Sequence, residues 1–512
     1  MKKTILASAI TFGMLYLVTN TTISYAEQHQ SYSTSQENRD ENIITFSDLF
    51  LEEAVKASLG LSSSDDVTVE NILELRSLEW VNGNITDLTG LEYATSLTKI
   101  TLTGNNISSL QPLINLENLI SIGLSNNPVE LSEVLLLENV LELDLSGNHY
   151  GEEISELSKY KNMTNLWLND CGLTDIDFVQ GMENLIWLRV MDNQISSLSS
   201  LNSNSLTGLW ATNNALTTLE DVSNFGSLRG VYLEGNQLES IDVLQNVSTL
   251  ERIYADNNNV SSVNMSNNES LQFIFLNNNN ISALSLRALS ALTTFEGRSN
   301  NIHQLDGLSN LQSLTHLNLF NNDVTDLTGI ESLSSLSLLQ LQANRNIEDF
   351  SPIGSLKKLT SLYMNDTDIN NNDIESIGEL PLLQELGVAK GNLKNIDFIT
   401  QFPGLTGISL DENHISDISL IPEGILYTAI NQTIELPSSV LGTPTIFSLR
   451  DIHGSFDGNY EFYTSGTISQ LEDGLLSLTW NRSGENSFSF SGRISEQLDE
   501  VGFSGKVIQY IE

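Results

Sequence analysis

Residues 97–107 read LTKITLTGNNI, and residues 119–129 read LISIGLSNNPV. Laid over each other, they give one frame, with apolar side chains at fixed offsets ahead of an asparagine. Leu97, Ile100, Leu102, Asn105 and Ile107 fill it first, and Leu119, Ile122, Leu124, Asn127 and Val129 fill it next. The frame returns at Leu185, Leu228, Leu250, Leu271 and Leu314, on a stride close to 22 residues. A unit this short cannot bury its own apolar side, so neighbours must stack into a solenoid with a continuous core.

The polar position of the frame runs through Gly83, Asn105, Asn127, Asn148, Cys171, Asn193, Asn214, Asn236 and Asn258. It continues through Asn279, Asn300, Asn322, Asn344, Thr367, Gly391 and Asn413, which makes 16 units. The spacing predicts an α/β repeat solenoid of the leucine-rich-repeat class, with about 16 units of 22 residues. One short strand per unit stacks in parallel at about 4.7–4.9 Å from the next. After each strand the chain turns inward and leaves backbone groups without partners. An amide side chain carries the donors and the acceptor that serve them, which explains the recurring asparagine. Cys171 stands in this column as a small buried polar group, and no histidine lies near enough in the repeat to activate it.

Outside the repeats the pattern changes. Residues 1–26 read as a secretory leader: Lys2 and Lys3, an apolar stretch from Ile5 to Val18, then Ser24-Tyr25-Ala26 as a small-x-small cleavage site. Residues 27–44 are polar and aperiodic, a disordered lead-in. Over 45–75 a helical N-cap is expected. Leu49, Phe50, Ala54, Val55 and Leu59 fall at helical spacing after Ser47, Gly60 stops the helix, and a second short helix fits VTVENILEL. The solenoid is assigned to 76–424. From 425 to 512 the apolar residues alternate instead, in Ile434/Leu436, Tyr460/Phe462, Leu476/Leu478/Trp480 and Phe488/Phe490. That alternation predicts a C-terminal immunoglobulin-like β-sandwich, with Pro437 on an edge strand.

These parts together resemble the internalin family of Gram-positive bacteria. The resemblance rests on the phrases Ile107-x-x-Leu110-x-x-Leu113, Ile195-x-x-Leu198-x-x-Leu201 and Val324-x-x-Leu327-x-x-Ile330. It rests also on Asn431–Pro437 and Gly502–Val507 in the C-terminal stretch. It implies a secreted or surface protein that binds a host or cell-surface protein through the concave face of its repeats. Many family members end in an LPxTG sorting signal, an apolar span and a basic tail. This chain ends GKVIQYIE, so the expectation is free secretion, with at most non-covalent surface association.

The residue between two inward apolar residues of a strand must point outward. Read unit by unit, that row holds Trp167, Arg189, Trp210, Tyr232, Tyr254 and Phe275, with Trp187 and Phe273 two positions earlier. Arg229 and Arg252 lie in the same band. If half of each ring stayed exposed, seven rings would present roughly 500–900 Å², near what one partner buries in a standard interface. Gly208 and Gly230 are expected to leave open spaces beside Trp210 and Tyr232. Two readings of the band stand: a protein-binding surface, or a ring ladder that stiffens adjacent strands.

Other functions find little support. With 65 acidic against 22 basic residues, the formal net charge is −43, which repels nucleic acid. The six histidines have no metal-pair spacing, and no nucleophile, base and orienting group converge. Asp366-x-Asp368-x-Asn370 opens like a calcium loop but has Asn371 and Ile377 where glycine and glutamate are required. No cofactor, metal, enzyme activity or transmembrane segment is therefore expected, and the protein reads as a monomer. A bacterial self-association or adhesion module using the same surface is the alternative function.

Overall fold

The computed structural model describes residues 42–219, 225–265, 267–287, 289–492 and 502–512. The expected leader and residues 27–41 of the lead-in lie outside them. All the elements below belong to the unit Ile44–Glu512.

Sixteen three-residue strands, from Ser77–Glu79 to Gly407–Ser409, pair in parallel as successive rungs of one sheet. Each strand's middle residue points inward, and each unit's chain returns through the core side. Leu188, Leu209, Val231, Ile253 and Ile274 are all 0% exposed. The I-x-x-L-x-x-L phrases fill the return path, where Ile107, Leu110 and Leu113 are buried and a 3-10 turn forms over Gln111–Leu113. This is the leucine-rich-repeat solenoid.

The asparagine column does the work its chemistry predicts. Asn105 Oδ1 accepts from the backbone N–H groups of Gly83 and Ile85 at 3.0 and 2.9 Å. Its Nδ2 donates to the carbonyls of Trp80 and Leu102, both at 2.8 Å. One side chain thus ties its own turn to the turn before it, and the pattern repeats down the column. Asn236 Nδ2 donates to Ala211 O and Leu233 O at 2.9 Å, and its Oδ1 accepts from Leu216 N at 3.0 Å. Cys171 substitutes only the donor half, its Sγ reaching the Leu145 and Asn169 carbonyls at 3.4 Å. Burial raises the Cys171 thiol to about 11, so it stays protonated and donating at neutral pH. At Gly83 the Trp80 ring takes the side chain's place, since a Cβ there would lie 1.9 Å from Trp80 Cδ1.

A second column stands one residue earlier. In every unit the residue before the polar position is left-handed: Asn82, Asn126, Asp170, Asp192, Asn213, Asn257, Asn278 and Asn321 among them, with glycine at 104, 147 and 235. The turn demands this conformation, which asparagine, aspartate and glycine tolerate. Ser299, Ala343, Lys390 and Glu412 adopt it too, at φ of 54–58°, without that tolerance.

The amino-terminal helix spans Leu49–Leu59 and ends at Gly60 with φ 69°. Its N-cap is Asp48, not Ser47: Oδ1 accepts from Phe50 N and Leu51 N, while Oδ2 accepts from Thr86 N and Oγ1. Leu51, Ala54 and Val55 form the face turned to the core. Leu49 and Phe50, expected on the buried face, fall in the first turn and are 70% and 48% exposed. The second helix is a 3-10 turn over Asn71–Glu74.

One feature of the return path was not expected. Ser262–Asn264 and Ala283–Ser285 pair in parallel as a small second sheet. They lie in consecutive units of 21 residues, Asn258 to Asn279 to Asn300. Length alone does not dictate this, since the 21-residue unit from Asn127 to Asn148 carries a short α-helix over Leu131–Val134 instead.

The frame was expected to stop at Asn413, but the sheet does not. Strand Leu426–Ser439 pairs in parallel with Gly407–Ser409 through Leu426, Tyr427 and Thr428, then with Phe503–Ile511 from Ala429 onward. Gln432, 1% exposed, supplies one more rung: Nε2 donates to Leu410 O at 2.8 Å and Oε1 accepts from Ile415 N at 3.0 Å. Gly484–Gly492 and Gly458–Phe462 extend this sheet antiparallel. A second sheet holds Thr445–Ser448, Leu475–Trp480 and Gly466–Gln470. Trp480, Phe488 and Val507 are buried, and Gln509 joins the sheets, accepting from Trp480 Nε1 at 2.9 Å and donating to Thr445 Oγ1 at 2.8 Å. Pro437 lies where its strand is the sheet edge, paired only with Phe503–Ile511. Arg450 fastens the junction, exchanging backbone bonds with Ser416 and Ile418 and pairing with Asp417 at 3.3 Å.

Replacing Asn236 with leucine should cost about 1–3 kcal/mol for each backbone group it leaves unpartnered. Urea denaturation against the wild type measures this, and Cys171→Ser should cost less. Ala343→Gly should instead raise stability by about 0.5–1 kcal/mol, since the left-handed strain removed exceeds the added chain entropy. A rise in the melting temperature checks it.

Candidate protein-binding face

The pleat that sends Leu188, Leu209, Val231, Ile253 and Ile274 inward sends their neighbours outward in register. One row runs Trp167, Arg189, Trp210, Tyr232, Tyr254, Phe275 across consecutive strands. The row two residues earlier runs Trp187, Gly208, Gly230, Arg252, Phe273. Nine of the ten singled-out positions thus fall on one stretch of the outward face, and Arg229 stands one residue ahead of its strand.

The rings stack. Trp210 and Tyr232 lie 4.8 Å apart at 7°, Tyr232 and Tyr254 4.8 Å apart at 8°, and Tyr254 and Phe275 4.6 Å apart at 6°. Trp187 meets Trp210 edge-on, at 6.4 Å and 73°. The stacking distance equals the strand spacing, so the backbone itself brings each ring to its neighbour. Arg189 closes one end with its guanidinium 4.6 Å from the Trp210 ring centre, beside Trp167, and Arg252 lies 5.9 Å from Phe273. Arg229 pairs with Glu251 at 2.5 Å, and Glu251 also holds Arg252 at 3.5 Å.

This packing corrects two expectations. No open space stands over Gly208 or Gly230: a Cβ at Gly208 would lie 2.4 Å from Trp210 Cζ3, and one at Gly230 3.3 Å from Tyr232 Cε2. The rings lean over the glycines, which admit them because they lack side chains. Nor are the rings half exposed. Trp187, at 42%, is the most exposed of the seven and the other six are partly buried, with Tyr232 and Tyr254 covered on both faces by the stack. The apolar area offered is correspondingly smaller than half exposure of every ring would give.

A third outward row, two residues beyond the rings, holds Thr212, Glu234, Asp256, Asn277 and Arg298. The alternation that located the rings, carried two residues further, would have found it. Glu234 accepts from Thr212 Oγ1 at 2.8 Å, and Asp256 from Asn277 N at 2.6 Å. Glu296, next after Phe275 in the ring row, accepts from Asn318 Nδ2 at 2.7 Å. Burial pushes all three carboxyl groups above their ordinary values, with the Asp256 charge adding to the rise at Glu234 and Glu296. Among the described residues no cluster of three His, Cys, Asp or Glu could hold a metal ion, and no helix is long and apolar enough to cross a membrane.

No protein-family model matches the sequence, and no curated protein matches it. Solved structures do. The chain is similar over 91% of its length to the functional domain of InlJ from Listeria monocytogenes, covering 97% of it, at TM-score 0.68 and 23% identity. That domain includes a cysteine ladder; in this chain the repeated polar column is asparagine. The internalin InlF from Listeria monocytogenes matches 71% of the chain and is 95% covered, at TM-score 0.51 and 24% identity. The ectodomain of the Arabidopsis thaliana receptor kinase GASSHO1/SCHENGEN3, solved in complex with Casparian strip integrity factor 2, matches 68% and is 46% covered. Its TM-score is 0.53, at 20% identity. The class is therefore a leucine-rich-repeat protein, and its architecture is similar to that of the Listeria internalins.

A carboxylate with a raised folded pKa weakens the fold once ionised; that loss sets in as pH rises through the window between the unfolded and folded values. Glu234→Gln/Asp256→Asn should therefore unfold at higher temperature than the wild type near pH 7. The difference should shrink as pH falls through the upper carboxylate range. Thermal unfolding of both proteins across that range checks it.

Proposed function

We propose that this is a secreted protein of the internalin type that binds a host or cell-surface protein through the concave face of its repeats. The band from Trp167 to Phe275 is the contact surface in this reading. One observation carries it: the rings occupy outward positions that the repeat frame does not require to be apolar, while the core is already filled by the alternate residues. Tryptophan, tyrosine and arginine concentrate there, the types that dominate binding hot spots. The stacked rings also stiffen the sheet, and a preorganised surface loses less entropy on docking.

The rest of the chain fits this role. The pattern of Lys2, Lys3, the apolar stretch and Ser24-Tyr25-Ala26 supports export of a mature protein beginning near residue 27. The helix Leu49–Leu59, with Leu51, Ala54 and Val55 turned to the core, serves as the amino-terminal cap within 45–75. For 425–512 an immunoglobulin-like domain is supported by seven strands in sheets of four and three around Trp480. The solenoid between them spans 76–424. A plant receptor ectodomain of similar fold was solved in complex with Casparian strip integrity factor 2, which supports a binding role for the solenoid.

Cross-linking capture from host-cell surfaces, followed by affinity measurement with the purified partner, tests this. Trp187→Ala should weaken binding by about 2 kcal/mol, roughly thirtyfold in Kd, with little change in thermal unfolding. Trp210→Ala should weaken it similarly and also lose about 0.5–1.5 kcal/mol of stacking stability. Gln340→Ala, on the same face beyond the band, should do much less. Normal binding by both tryptophan variants would move the site elsewhere. Loss of a concentration-dependent dimer in those variants would favour self-association instead.

A further inference from the structure

The outward face sets an acidic row against the aromatic one. Glu234 and Asp256 stand just past consecutive strands, two residues beyond Tyr232 and Tyr254, and Glu296 continues the ring row after Phe275. Among the described residues none of the three forms an ion pair within 4 Å, although cations are close. Arg229 and Arg252 both hold Glu251, and Arg189 lies on Trp210. Arg298, exposed at the edge of the row, offsets part of the charge at Asp256 and Glu296 from a distance. The hydroxyl of Thr212 and the amides of Asn277 and Asn318 satisfy some of the carboxylate oxygens but bring no charge. Three half-buried carboxylates are thus kept next to rings, against the stability of the fold.

Resting on the binding reading above, we propose that the band receives a polypeptide segment that sets a lysine or arginine beside an apolar side chain. The apolar group lies on the exposed edges of Tyr232, Tyr254 and Phe275, and the cation lies among Glu234, Asp256 and Glu296. Both halves of this surface are needed to specify the occupant. Stacking covers both faces of Tyr232 and Tyr254, and Arg189 lies on Trp210, so a flat sugar or base finds no face to stack on within the row. What remains is a strip of ring edges bordered by negative charge. A lysine or arginine lays its alkyl stem on such a strip and reaches the carboxylates with its head. Docking removes water from carboxylates already poorly solvated, so their attraction for a cation strengthens as the site closes. The formal net charge of −43 disfavours acidic segments in the same place.

A random-peptide phage library panned on the full chain tests this directly. Enriched peptides should carry lysine or arginine next to an apolar residue. A synthetic peptide of the enriched sequence should bind Glu234→Gln/Asp256→Asn about tenfold or more weakly than the wild type. Changing its basic residue to glutamine should cost as much on the wild type and almost nothing further on the variant. Thermal unfolding confirms that the variant is folded. Enriched peptides without a basic residue, equal affinity for both proteins, or full competition by spermine would overturn the proposal. Peptides that need Trp187 and Trp210 but ignore the carboxylates would leave the band standing as a binding site and remove its cationic partner. Peptides that ignore the tryptophans, or no enrichment at all, would remove both.

Discussion

The buried asparagine amide is the contact on which the solenoid depends. A strand of three residues makes too few backbone bonds to hold a turn, and each turn drives peptide groups into an apolar interior. The amide answers with two donors and an acceptor in one rigid plane, bonded to its own turn and the preceding one. Where it is missing, a single donor can stand in, the Cys171 thiol in one unit and the Thr367 hydroxyl bonded to Met364 O in another, while Gly83 and Gly391 bring no side chain to the column. The left-handed residue just before it belongs to the same device, because it aims the amide inward. With the interior secured in this way, the outward rows are released from any structural requirement and become available for recognition.

On that face the spacing of the sheet decides how side chains meet. Parallel rungs bring identical positions to about 4.8 Å, which is also a stacking distance for rings. Trp210, Tyr232, Tyr254 and Phe275 accordingly form a stack, and the sequence alternatives of ring ladder and binding surface are not exclusive. Stacking takes away ring faces, adds rigidity and leaves a row of edges. Trp187, meeting the stack edge-on with its indole N–H on Thr207 Oγ1 at 3.1 Å, keeps the largest exposed surface.

What the sequence made legible was whatever repeats. The period, the 16 polar positions and the outward rows follow from spacing alone, because each unit faces the same packing problem. Features set by a single local choice were not legible. The apolar residues at the start of the first helix lie around more than one face, and only packing decided that Leu51, Ala54 and Val55 are taken into the core and Leu49 and Phe50 left at the surface. Strands Thr445–Ser448 and Gly466–Gln470 are too short and too polar to stand out from loops. The lean of Trp210 over Gly208 depends on a side-chain rotamer, which spacing does not encode. Gln432 escaped because its longer side chain reaches the ladder from a different backbone offset, 19 residues after Asn413.

That glutamine changes how the array comes apart. A stack of repeats ordinarily frays from its ends, where the terminal unit has one neighbour instead of two. Here the final unit hands its sheet on to Leu426–Ser439, and Gln432 bonds back to Leu410 and Ile415 from inside the next layer. Opening the last turn therefore means separating Leu426–Ser439 from its partners as well, so local opening at this end costs more than at a free edge. A protease that waits for transient opening finds the carboxyl-terminal repeats guarded like those in the middle of the stack.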